Sequence, residues 1–287
     1  MKVSALVPIY NTDPQHLREM LESILNQTLG DFELIILNDS PDNKELKNIV
    51  ESYDDPRVRY YQNERNMGIS ASRNRLLALA RGEYLAVCDH DDISMPGRFA
   101  KQAEFLDANP DVGVVSGWLE HFGTKNFITS YHPQENAMIK TYLITTGCII
   151  AHPAAMIRKS ILVDNGIRYE EKYSPCEDYM LWCRLIEFTE FHNIQEVLLR
   201  YRNFHGNTSH RQEKRMKNKD FEVKLFVENK YPALYLRRAE FLVHTKYFRL
   251  FGFIPVLKLV RKKARGWWYL FNALPVLRIR EKFNMKK

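Results

Sequence analysis

Short apolar runs alternate with segments of helical periodicity along the first ninety residues. Residues 2–11 hold an apolar run closed by Pro8 and Tyr10. Asp13-Pro14 then supplies a capping side chain followed by proline at the first helical position. Leu17, Leu21, Ile24 and Leu25 give that helix a buried stripe. A near-continuous run at 32–37 ends in Asn38-Asp39-Ser40. Residues 43–53 read as a helix and 58–61 as a short strand. Asn66-Met67-Gly68-Ile69-Ser70 leads into a further helix reaching Ala80, and the run 84–88 closes on Asp89-His90-Asp91-Asp92.

Strand and helix in alternation predict an α/β fold, a mostly parallel sheet flanked by helices. Ligands of such sheets bind outside the carboxyl ends of the strands, where strand order switches. Three polar clusters fall at those ends: residues 8–11, 38–40 and 89–92. They are expected to converge on one crevice suited to a nucleotide. Period-two alternation places Asp89 and Asp91 on one side of the chain, a spacing that suits a hard divalent cation carrying substrate phosphates. A solvated turn or helix cap would use the same acids.

The ordered motifs resemble glycosyltransferase family 2 and its GT-A fold. They are Val7-Pro8-Ile9-Tyr10-Asn11, Gln27-Thr28 before Phe32-Glu33-Leu34-Ile35-Ile36, Asn38-Asp39-Ser40, Asn66-Met67-Gly68 and Ser72-Arg73-Asn74. Ala80-Arg81-Gly82-Glu83-Tyr84, the acidic tetrad, Glu177-Asp178-Tyr179 with Trp182, and Tyr201-Arg202 with His205 complete the set. The resemblance covers about residues 1–210. It implies an inverting transfer from a nucleotide sugar, most simply UDP-linked, to a growing surface polysaccharide (lipopolysaccharide or capsule) or lipid-linked oligosaccharide.

It also implies roles. Pro8 and Tyr10 resemble the wall of the base site, with Asn11 and Asn66 beside it. Asp39 resembles the acceptor of the uracil imide, although an Asx turn beside Ser40-Pro41 would use it equally. Arg73 resembles the arginine near base and diphosphate. Asp89 resembles the residue that touches the ribose, His90 is counted with the nucleotide-binding residues without a defined role, and Asp89, Asp91 and His205 are the implied ligands of Mn2+ or Mg2+. Asp178 resembles the base, at the head of a helix with the buried stripe Leu181, Trp182, Leu185 and Ile186; acids in a first turn also serve as plain caps. The chain departs from the pattern in four ways: Asn38 replaces an acid, Asn38-Asp39-Ser40-Pro41 lacks the glycine usual after the acidic pair, Ser72 stands where alanine is common and Arg75 where glycine is common.

Composition refines the division of the chain. Residues 1–210 carry 21 Lys+Arg against 29 Asp+Glu, a balance of −8, and residues 211–287 carry 21 against 6, a balance of +15, together the overall +7. A catalytic domain is therefore expected at 1–210, with a nucleotide-sugar half at 1–115 and an acceptor half at 116–210. A basic, amphipathic helical extension is expected at 211–287. Its aromatic-rich stretches at 247–257 and 267–271, parted by Arg261-Lys262-Lys263, suit an anionic membrane surface; a helical subdomain with a solvated basic face is the alternative. Nucleic acid is not expected, since the catalytic half is acidic.

The stretch 116–146 reads as irregular, with His121 and His132 assigned no role, and 148–157 reads as strand-like. Cys88, Cys148, Cys176 and Cys183 lack metal spacing and read as reduced thiols. The start at Met1-Lys2-Val3 runs directly into the first strand, so no secretory signal is expected, and no apolar stretch reaches eighteen residues. A cytoplasmic enzyme, peripheral on the inner face of the membrane, is the resulting expectation. Two other readings use the same features: a sugar- or nucleotide-binding protein without catalysis, and a nucleotidyltransferase. The second would carry a glycine-rich phosphate loop after the first strand, and residues 8–11 are not one.

Overall fold

A computed structural model describes residues 1–129, 132–204, 211–232, 268–269 and 275–277. Its first half is the alternation expected: β1 (Val3–Ile9), α1 (Pro14–Leu25), β2 (Phe32–Asn38), α2 (Lys44–Glu51), β3 (Val58–Gln62), α3 (Ile69–Leu79) and β4 (Tyr84–Val87). Strands β3, β2, β1 and β4 are neighbours in that order and all parallel. Every residue of β1 and β2 is buried, because helices cover both faces of a parallel sheet. Asp13 caps α1 as expected, its carboxylate accepting from the amides of Gln15 and His16 at 2.9 and 3.2 Å.

After β4 come β5 (Ile93–Ser94), α4 (Arg98–Ala108), β6 (Val112–Gly123), β7 (Phe127–Thr129), α5 (Asn136–Thr145), β8 (Met156–Arg158) and α6 (Lys159–Asp164). The chain continues through α7 (Glu177–Leu185), β9 (Glu190–Asn203) and α8 (Glu213–Lys230). The sheet runs β3-β2-β1-β4-β8-β6-β9-β5, with β7 paired to β6. Direction reverses at β8, antiparallel to both β4 and β6. One core cluster packs α1, α2 and α4 on one face, around Ile9, Leu21, Phe32 and Phe99. The other packs α3, α5, α7 and α8 on the opposite face, around Leu76, Leu143, Trp182 and Val227.

Two expectations need correction. Residues 116–123 are not irregular: they belong to the twelve-residue β6, which pairs along almost its whole length with β9. Residues 148–157 are strand only from Met156, because Pro153 lacks the amide a ladder needs and sits in a 3-10 turn, His152–Ala154. No described helix is long and apolar enough to cross a membrane. His205 and residues 233–267, 270–274 and 278–287, which together hold most of the predicted basic extension, lie outside the described residues.

Candidate active site

The three polar clusters do meet at the carboxyl ends of β1, β2 and β4. Pro8 is buried in β1, whereas Tyr10 is half-exposed just beyond it. Asn11 takes a left-handed conformation (φ 45°), and its amide donates to Ser40 Oγ at 3.1 Å. The Asx turn near Ser40 belongs to Asn38, whose Oδ1 accepts from the Ser40 amide at 2.8 Å and hydroxyl at 2.7 Å. Asp39 is left for another task. Its buried carboxylate accepts from Asn63 Nδ2 (2.6 Å) and from the amides of Met67 (2.8 Å) and Gly68 (2.9 Å). It thus holds the loop that enters α3, where Gly68 at φ 83° has a backbone that side chains resist. Asn66 is exposed on this loop, its Oδ1 accepting from the Gly68 amide.

The acidic tetrad does not continue the strand. β4 ends at Val87, and residues 89–92 turn, so alternation along a strand does not set the relation of Asp89 to Asp91. Asp89 instead pairs with Arg73 of α3 at 3.2 Å. The same guanidinium donates to Glu177 Oε1 at 2.7 Å and lies over the Tyr169 ring, 5.5 Å from its centroid. Burial presses this guanidinium down, but the charges of Asp89 and Glu177 outweigh that and hold it above its ordinary value. Arg73 thereby ties the tetrad to the head of α7, the helix that carries Asp178.

Asp178 is partly buried and accepts from the Tyr179 amide at 2.7 Å. Burial first, then the neighbouring Glu177 charge, push its carboxyl up to about 6, against the pull of Arg73. A carboxylate that titrates there is suited to general base work near neutrality. On the other side of the tetrad, burial and the charges of Asp91 and Asp89 drive the Asp92 carboxyl well up, and burial also raises Asp91. Asp92 Oδ2 and His90 Nδ1 are buried with no hydrogen-bond partner.

Arg202 clasps this turn from β9. Its amide donates to Asp92 Oδ1 and its Nε to the Asp91 carbonyl, both at 2.8 Å, while the guanidinium pairs with Glu19 of α1. Arg98, fully buried, donates to the carbonyls of Val87 (2.8 Å) and Ala155 (3.2 Å) beneath it. A surplus of carboxylates with raised protonation and unpartnered oxygens fits a divalent cation. Among the described residues no three His, Cys, Asp or Glu side chains enclose one unaided, so ligand oxygens would have to share the coordination.

Asn63, Tyr169 and Arg98 are not singled out by the sequence, and Glu177 and Arg202 appear there only as motif residues without a role. Their importance lies in pairing across 9 to 183 positions, which no local pattern displays. Beyond them, a cavity of about 250 Å³ lies between β6, β7 and residues 148–151 and includes His121 and His132.

Carboxylates, a bridging guanidinium and a helix-borne acid thus come together at the switch point of an α/β sheet. The family model for glycosyl transferase family 2 matches residues 4–166. An uncharacterised glycosyltransferase of Methanocaldococcus jannaschii is 36% identical over 206 residues, 70% of this chain and 70% of that protein. The Escherichia coli UDP-Gal:alpha-D-GlcNAc-diphosphoundecaprenol beta-1,3-galactosyltransferase is 32% identical over 210 residues, 69% of this chain and 73% of that one. Staphylococcus aureus TarS 1-349 with UDP-GlcNAc superposes with TM-score 0.64 at 21% identity, covering 88% of this chain and 77% of that one. A mannosyltransferase from Pyrobaculum calidifontis in complex with GDP-Man and Mn2+ gives 0.57 at 14% identity, over 91% and 79%. The chain belongs to glycosyltransferase family 2 and is a transferase on the GT-A fold.

Proposed function

We infer that the protein is a metal-dependent, inverting glycosyltransferase that moves a sugar from a UDP-sugar to a hydroxyl of a lipid-linked or surface glycan. The observation that carries this reading is Asp178 at the head of α7, its carboxyl raised to about 6, tied through Glu177 and Arg73 to Asp89. Asp178 takes the proton from the acceptor hydroxyl as that oxygen attacks the anomeric carbon, and the bond to the diphosphate breaks. One displacement inverts the centre and needs no second nucleophile. Arg73 meets the diphosphate with a planar donor fork. Tyr10 and Pro8 flank the base, with Asn11 and Asn66 at its edge. Asp39 serves the uracil imide with a lone pair left over from its three loop hydrogen bonds. His90 and Asp89 face the ribose. Asp89 and Asp91 would hold the Mn2+ or Mg2+, with His205 as a further donor, and the cation would neutralise charge on the departing diphosphate.

The E. coli relative's name specifies UDP-Gal and a diphosphoundecaprenol-linked acceptor, which supports a UDP donor and a lipid-linked acceptor here. The +15 balance of residues 211–287 supports a peripheral position on the inner membrane face. Exposed Phe221 and Leu225 on α8, one turn apart, support it. Co-sedimentation with anionic but not neutral vesicles tests that part.

The direct test of the site is thermal stability with nucleotides. UDP at about a hundred times its dissociation constant adds about 2.7 kcal/mol. Stabilisation by UDP with Mn2+ present, lost in Asp91→Ala, is expected. Equal stabilisation without any divalent cation, or none from any nucleotide, would overturn the assignment.

A further inference from the structure

The cavity beside the base has a character of its own. Among the described residues, the nine that line it include no Asp, Glu, Lys or Arg. One of the two histidines among them, His121, is held neutral by its partners. His121 Nδ1 faces the Asn203 side-chain amide nitrogen at 3.1 Å. An amide nitrogen can only donate, so Nδ1 must accept and carries no proton. The proton is then on Nε2, which donates to Thr129 Oγ1 at 2.8 Å. That leaves the Thr129 hydroxyl proton directed elsewhere. Burial pushes His132, and His121 with it, below the usual imidazole value.

The cavity also adjoins the reacting groups. Cys148, exposed on its wall, lies within range of the Asp178 charge. Ala151 on the same wall precedes His152, whose Nε2 meets the Tyr169 hydroxyl at 2.9 Å, and the Tyr169 ring underlies Arg73. At the rim, Phe127 stacks on His121 (centroids 4.0 Å apart, planes at 9°) and remains 48% exposed. The volume of about 250 Å³ is just below the range that accommodates drug-sized ligands, enough for one sugar ring and not two.

We propose that this cavity is the acceptor subsite and that it selects an uncharged pyranose, excluding uronic acids and phosphorylated sugars. The proposal rests on the transferase reading above and names the substrate class of that site. An apolar wall with the neutral His121 imidazole and a hydroxyl hydrogen-bonds sugar hydroxyls and stacks on a sugar's CH face. It offers no counter-charge to a carboxylate, and an unpaired anion so placed is heavily penalised.

The test uses saturation-transfer NMR on the full chain with UDP and Mn2+ present. The probes are the methyl glycosides of glucose, N-acetylglucosamine and glucuronic acid. Transfer to the two neutral glycosides and at least tenfold weaker transfer to the glucuronide is expected. Ala151→Leu, which occupies the space, should abolish it. Cys148→Trp, placed at the exposed lip, serves the same purpose if the leucine variant fails to fold. UDP-dependent stabilisation should persist in whichever variant is used. Equal or preferred binding of the glucuronide, unchanged binding in a filled cavity, or no binding of any glycoside overturns the proposal. Loss of the UDP response in the unsubstituted protein instead sinks the donor-site reading, so the two failures are distinguishable.

Discussion

Asp178→Asn should remove activity and add stability, a pairing that a structural role would not produce. The carboxyl is displaced from 3.8 to about 6 by burial and by Glu177. Two units correspond to about 3 kcal/mol of preference for the uncharged form, at roughly 1.36 kcal/mol each. Partial exposure and the tight link to Glu177 reduce the stability share to about 1–2 kcal/mol. The sign follows from linkage. Between the unfolded and folded values the folded chain binds more protons, so this group's contribution falls as pH rises from about 4 to 6 and stays low above that. At pH 7.5 the wild-type chain holds an unfavourable anion there, which asparagine removes. The variant should melt about 3–6 °C higher at pH 7.5, with the gap closing near pH 4. Turnover should drop by about 10²–10⁴, and in the wild type it should rise through about pH 6 as the base ionises. Paired melting curves at the two pH values and a UDP-release assay read both arms. A variant less stable than wild type at pH 7.5, or one keeping a tenth of the activity, would refute the argument.

Three other substitutions probe the framework. Glu33 is buried, which raises its carboxyl, but Ser4, the Arg81 amide and Arg59 together hold it below the ordinary value. Its stabilisation is therefore present above the unfolded pKa and lost as pH falls; Glu33→Gln should cost about 1–3 kcal/mol by urea titration at pH 7, with the gap narrowing in acid. Gly82→Ala would set a Cβ 2.5 Å from the Ser4 backbone nitrogen, so a loss of at least about 2 kcal/mol is expected, and an unchanged melting temperature would contradict the packing. Arg202→Lys keeps the charge but not the fork that reaches both the Asp91 carbonyl and Glu19. Mn2+ titration by calorimetry with UDP present should show about 10- to 100-fold weaker binding.

Local chemistry made the first half of the fold legible. The Asp13-Pro14 start of α1, the buried runs of β1 and β2 and the glycine entry to α3 each follow from signals within a few residues. The second half resisted because β6 alternates little: six of its first six residues are buried, and its partner β9 lies some eighty positions away. The site was legible as clusters but not as connections. Ser72 and Arg75, odd choices by motif, both meet Asn63, which in turn holds Asp39. The Arg81-Gly82 pair is explained by Glu33 and Ser4, which accept from their two amides at 2.7 and 2.8 Å.

Charge explains why nucleotide and cation should enter together. Around the crevice stand Asp89, Asp91, Asp92, Glu177 and Asp178, against Arg73, Arg98 and Arg202. Arg202 is further engaged by Glu19, and Arg98 makes its hydrogen bonds to carbonyls, a thiol and neutral side chains. A diphosphate arriving alone would meet more carboxylates than guanidinium groups, and Arg73 is already shared between two of them. A divalent cation on Asp89 and Asp91 would reverse that balance and free Arg73 to turn toward phosphate. The cation and the donor's diphosphate carry equal and opposite charge, so what remains is the loss of Arg73, whose pull holds the Asp178 carboxyl down; that carboxyl should titrate higher with donor bound than without it. The acidic limb of kcat should therefore lie above that of kcat/KM, and coincident limbs would show that Arg73 does not move.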